Sequence, residues 1–230
     1  AAEMHLAIST YLEALDRSPR NINIIVSTVA ALYKVNEYDR ADKILRQATL
    51  ENLFHPELER LQLQNYLKRG ELNSAGDILE SLLRNDPNNE SICLSLTLLK
   101  IRQNKFADAK VLLNKLKSQK PDSVIIGAAE VEWYFRQNQT KEAMQVCDVL
   151  VDKLQNTSSY ILRARTRAIL GQIDMAIQDL DYAISKDPSS IESLVMRSDI
   201  YGAAGQSDKA IADIQKAMTL SPENLQLELR

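Results

Sequence analysis

The chain has 230 residues, 45% of them hydrophobic and 26% charged, with aromatics at 5% and only six glycines and six prolines; this composition excludes a disordered tail and favours helix over sheet. A formal net charge of -3 and a pI near 5.6 supply no global basic field, so nucleic acid is not an expected partner. No apolar run approaches the roughly 18 residues needed to span a bilayer, AAEMHLAIS carries no signal pattern, and Cys93 and Cys147 have no CxxC spacing or nearby histidine to suggest zinc or redox chemistry.

In chain order, EMHLAISTYLEAL reads as the second helix of a hairpin, a leading half repeat over 1–21. From within it a lattice of alanines begins: Ala7, Ala41, Ala75, Ala109, Ala143, Ala176 and Ala210, spaced by 34, 34, 34, 34, 33 and 34 residues. Seven residues beyond each stands an apolar residue (Ala14, Ala48, Leu82, Leu116, Leu150, Ala183, Ala217), two helical turns on and therefore on the same face. Five residues before each alanine from Ala41 onward come Asn36, Gly70, Asn104, Asn138, Gly171 and Gly205. These residue types enter the left-handed conformation most cheaply, as a helix that must end and reverse requires. Pro19, Pro87, Pro121, Pro188 and Pro222 each fall twelve residues after an alanine, where they stop one helix and start the next, while Pro56 opens a unit.

Each unit thus predicts helix, tight turn, helix and link, over 22–55, 56–89, 90–123, 124–156, 157–190 and 191–224, with a further helix starting at 225–230. The fourth unit is one residue short, the loss falling after Leu150 in the proline-free link DKLQNTSS. Stacked repeats need polar terminal caps, and the uncapped ends predict a segment of a longer array.

The last full unit, IESLVMRSDIYGAAGQSDKAIADIQKAMTLSPEN, places Leu194, Ser198, Tyr201, Ala210, Ile214, Ala217 and Pro222 in a large, small, aromatic, small, large, small and proline order. This pattern resembles the tetratricopeptide repeat, a family of stacked 34-residue helical hairpins, and the resemblance covers almost the whole chain. Leu63 and Val131 depart from it where the family prefers a small residue, and Arg167 where it prefers an aromatic. The resemblance implies an all-α fold, an α-solenoid forming a right-handed superhelix, as one array over 1–230. It also implies a non-catalytic scaffold without a cofactor, whose first helices line a concave groove for a peptide or a partner's helix. Nothing in the residues argues for catalysis: His5 and His55 read as surface histidines, and GxGxxG, GxxxxGK and GxSxG do not occur. The tripeptides at Asn89, Asn138 and Asn156 match the glycosylation pattern but read as chance in Asn-rich links.

Carried onto this chain, the groove-facing places are the second, fifth, ninth, twelfth and thirteenth of each unit. The thirteenth gives Lys34, Lys68, Arg102 and Arg136, cations that attract an acidic peptide or simply complement the dipoles of their helix ends. The ninth gives Gln64, Glu132, Arg165 and Asp199, the last three expected as a charge ladder. Arg60 holds a fifth place, and Phe135 a twelfth, as the expected apolar anchor beside the core residue Tyr134. No unit carries the Lys and Asn pair of the chaperone-binding arrays. Arg163 and Arg167 are expected to reach Asp148 and Asp152.

The expected partner is therefore a protein or peptide of acidic character. Two alternatives stand beside it: homo-oligomerisation through the uncapped ends, and a positioning arm of a larger enzyme or bacterial envelope and polysaccharide secretion assembly. A soluble location is expected, with cytoplasm and bacterial periplasm both open.

Overall fold

A computed structural model describes residues 2–53 and 55–222; among these the chain forms thirteen α-helices and no strand. In order they are α1 (Ala2–Arg17), α2 (Ile22–Lys34), α3 (Tyr38–Leu50), α4 (Pro56–Arg69), α5 (Leu72–Asn85), α6 (Glu90–Arg102), α7 (Phe106–Gln119), α8 (Val124–Phe135), α9 (Thr140–Leu154), α10 (Thr157–Ile169), α11 (Ile173–Lys186), α12 (Ile191–Ala203) and α13 (Ser207–Leu220). The helix expected at 225–230 lies outside the described residues.

The tight turns form where the spacing puts them. Asn36, Gly70, Asn104, Asn138, Gly171 and Gly205 all have positive φ, between 58° and 74°. Two further left-handed residues, Asn52 at φ 54° and Gln155 at φ 46°, close α3 and α9 in links that have no proline at the helix end. Helix starts are capped in the usual way, by side-chain oxygens that accept the free amides of the first turn. Asn21, Ser123, Asn156 and Ser190 do this for α2, α8, α10 and α12, and Asn89 Oδ1 accepts from Ile92 N at 3.1 Å. All three asparagines of the glycosylation pattern thus have a conformational role, two as caps and Asn138 as a left-handed turn.

Two compact units divide the chain, residues 1–99 and 100–230. In the first, each of α1 to α5 packs on its neighbour in sequence, and α2 also touches α4. In the second, the same holds from α7 to α13, with α8 touching α10 and α10 touching α12. This nearest-neighbour pattern is that of stacked helical hairpins. Small residues allow the close approach: Ala41, Ala75, Ala109, Ala143 and Ala176 are all 0% exposed. Around Ala176 the core continues through Ile161, Ala164, Leu180, Ala183 and Ile200.

Candidate functional site on the even-numbered helices

In the second unit, α8, α10 and α12 share a surface that holds an open groove of about 510 Å³. Small side chains, Ala128 and Ser158, open it; Ile161 and Leu162 add to its apolar lining. Ile125, in the first turn of α8, stands on its wall with 67% of its surface exposed. Two ion pairs border the groove. Arg165 Nη2 meets Glu192 Oε1 at 3.2 Å, joining α10 to α12, and Lys153 Nζ meets Asp122 Oδ1 at 2.9 Å. Both pairs face solvent, where such a bridge contributes at most about 1 kcal/mol, so either can open to a ligand at little cost.

The same two helices, α10 and α12, also carry a partly buried ion network. Arg163 donates from Nε and Nη2 to Asp179, at 3.1 and 2.8 Å, and from Nη1 to Asp148 at 3.1 Å. Arg197 grips Asp213 and Asp181 in the same manner. Asp179 and Asp213 are only 3% and 6% exposed, and carboxylates so deep persist only with several charge-assisted donors. Burial works against the Arg163 charge, but its bonds to Asp179 and Asp148 outweigh burial and raise its pKa. In α8 the polarity is reversed: Glu130 accepts from Lys117 Nζ at 2.6 Å and Lys110 Nζ at 3.3 Å, both on α7.

Of the two guanidiniums expected at Asp148 and Asp152, Arg163 does reach Asp148. Arg167 instead turns to its own hairpin, to Asp179 Oδ2 at 2.7 Å and the Met175 carbonyl at 3.3 Å. The reason is burial: Asp179 is sealed between helices and needs the extra donor, whereas Asp152 is exposed and hydrated.

Lys34, Lys68 and Arg102 are exposed in the last turns of α2, α4 and α6, and none of them pairs with a carboxylate among the described residues. Arg136 bonds Glu132 at 2.8 Å along its own helix end, and Arg60 bonds Glu57 at 2.6 Å. Arg165 is engaged with Glu192, the second residue of α12, while Asp199 is exposed further along that helix. Arg60, Gln64 and Lys68 frame a patch on α4 with Leu63 and the partly exposed Leu67. Phe135 is half-buried against the cluster that includes Val131, Cys147 and Leu162. Its neighbour Trp133 ties α8 to α7, donating Nε1–H to the Phe106 carbonyl at 2.9 Å beneath Lys110 Nζ at 4.6 Å. Arg165 is the only member of the expected charged set that lines the α8–α10–α12 groove. Ile125, Ser158 and Glu192 sit at second places, and Ala128 and Ile161 at fifth places; selection by charge passes over the small and apolar residues that open the space.

Hairpins closed by left-handed Asn or Gly and stacked through buried alanines define a helical-repeat protein of α-solenoid type. The repeats are tetratricopeptide repeats, and the chain is a tetratricopeptide-repeat protein of no particular subfamily: tetratricopeptide repeat models match residues 66–130 and 191–224. The fold is shared with a tetratricopeptide repeat protein from Parabacteroides merdae, at 16% identity and TM-score 0.65, over 99% of this chain and 91% of that one. It is shared also with a thermophilic tetratricopeptide repeat protein from Thermus thermophilus, at 20% identity and TM-score 0.57, over 74% and 93%. A chain of the APC/C hetero-tetramer Cut9–Hcn1 aligns at 14% identity and TM-score 0.53, over 99% of this chain and 45% of that one. No curated protein matches the sequence. The family is generally non-catalytic, and its fold serves as a protein–protein interaction scaffold. Among the described residues no helix is long and apolar enough to cross a membrane.

Proposed function

We propose that the chain is one array of tetratricopeptide repeats that docks a protein partner on the faces of its even-numbered helices. The observation that carries this reading is the groove over α8, α10 and α12, where Ile125 stands 67% exposed beside a lining of small and apolar residues. Seating a partner's apolar side chain there removes surface from water on both sides, and full burial of such a side chain is worth roughly 1.5–3 kcal/mol. Exposed ion pairs at the edge, Arg165 with Glu192 and Lys153 with Asp122, give the partner polar groups to exchange with. The unpaired Lys34 and Lys68 in the first unit and Arg102 in the second favour a partner of acidic character.

The test is affinity capture from the native extract with wild type and with Ile125→Asp plus Arg165→Glu. Both positions are exposed, so the melting curve of the variant should match wild type. A protein retained by wild type and lost by the variant is the expected result; identical sets of retained proteins would remove the groove as the docking surface.

A further inference from the structure

The first unit holds a cavity of about 230 Å³ on the side of α4 opposite Arg60, Gln64 and Lys68, walled by α3, α4 and α5. Its lining is mostly apolar, with Leu45, Leu58 and Ile78 among the contributors, and it includes two carboxylates, Glu59 and Asp77, but no lysine or arginine.

Glu59 is out of character for its position. The fourth residue of each even-numbered helix points inward: Ile25, Cys93, Gly127 and Leu194 are buried there, and Tyr160 is half-buried. In α4 the same position carries Glu59, half-buried on an apolar wall. A carboxylate so placed loses hydration without compensation unless a donor reaches it, and neither Glu59 nor the exposed Asp77 has a cationic partner among the described residues. Glu59 shares the first turn of α4 with Glu57, where the helix dipole favours an acid, but the dipole supplies no cationic partner, and its effect does not extend to Asp77, beyond the first turn of α5.

We propose that this cavity is a docking slot for a lysine or arginine side chain of a protein partner. The aliphatic stem packs on Leu45, Leu58 and Ile78, and the cationic head sits between Glu59 and Asp77. A long basic side chain has this division along its length, apolar in the stem and charged at the tip, and it restores the pairing that Glu59 lacks. This surface is separate from the even-helix groove, so each can fail without the other.

The test uses the full chain, with methyl resonances followed by NMR during titration with two blocked pentapeptides, acetyl-Gly-Leu-Lys-Leu-Gly-amide and its counterpart with Glu in place of Lys. The Lys peptide should shift the Leu58 and Ile78 methyls, the Glu peptide should not, and Glu59→Gln plus Asp77→Asn should weaken the Lys peptide by about tenfold. Equal shifts from both peptides, no shift from either at millimolar concentration, or undiminished Lys-peptide binding by the double variant would each overturn the proposal. So would methyl shifts that follow protein concentration alone, since a second copy of the chain would then be the occupant.

Discussion

Arg163 and Arg197 stand 34 residues apart and make the same contacts: each guanidinium grips one buried aspartate of its own hairpin and one exposed aspartate of the hairpin before. The two ends of this clamp differ in strength. Asp179→Ala removes the carboxylate shared by Arg163 and Arg167 and should cost about 3 kcal/mol or more. Asp148, with a side chain 47% exposed, should cost less than about 1 kcal/mol when changed to alanine. Urea unfolding of the two variants checks this, and equal losses would contradict it.

Gln155 holds a left-handed conformation, φ 46°, without the freedom of glycine. Gln155→Gly should stabilise the chain by about 1 kcal/mol. Gly171→Ala should do the reverse by a similar amount, because φ is 74° there and an added Cβ meets nothing within 4 Å, leaving backbone conformation as the whole effect. Chemical unfolding of both variants would show opposite shifts; shifts of the same sign would count against this account of the two links.

Ala176 is 0% exposed on the face of α11 that packs against Ile161 and Ala164 of α10. Ala176→Glu forces volume and charge into that contact and should lose about 3 kcal/mol or more, seen as a marked fall in the melting midpoint. An unchanged midpoint is incompatible with this packing.

Both cysteines are buried, Cys93 at 2% and Cys147 at 0% exposure. Burial pushes the Cys147 thiol up, and the contact with Thr166 Oγ1 at 3.2 Å offsets this only in part. Since the thiolate is the reactive form, neither should react with a thiol reagent at pH 8 in the folded chain, and both should react in denaturant. Rapid labelling of Cys147 in the native protein would show that the α9–α10 contact opens readily, and rapid labelling of Cys93 would show the same of the packing around α6.

Tyr33 donates its hydroxyl to the Leu61 carbonyl at 2.6 Å, and burial raises its pKa above the ordinary tyrosine value, with Arg60 opposing. A raised folded pKa means its contribution is whole below the unfolded value of about 10 and is lost as pH rises beyond it. Tyr33→Phe should cost about 1 kcal/mol at pH 7 and flatten the alkaline fall in stability. Parallel curves for the two proteins from pH 8 to 11 would refute this.

What could be read without coordinates follows from how local each signal is. The six turn residues were legible because Asn and Gly enter the left-handed region most cheaply and recur here at a fixed spacing from the alanines. Gln155 was not, since glutamine there has no local signature and the conformation is imposed by the short link between α9 and α10. The Arg163 contact with Asp148 followed from helix periodicity, but the turn of Arg167 toward Asp179 depends on which carboxylate the packing seals. The groove floor was half legible: family places two and five cover Ile125, Ala128, Ser158 and Ile161, yet none of these residues carries a charge that singles it out.

The reversed polarity of the Glu130 clamp makes the hairpins of the second unit non-interchangeable. Excising residues 157–190 would bring α12 onto α9 and offer Arg197 the carboxylate of Asp148 in place of Asp181, an equivalent match. Excising 124–156 would bring α10 onto α7 and set Arg163 against Lys110 and Lys117, cation upon cation. One deletion leaves a chain that can close up on itself and the other does not, so loss or duplication of hairpins during evolution is permitted at some seams and resisted at others.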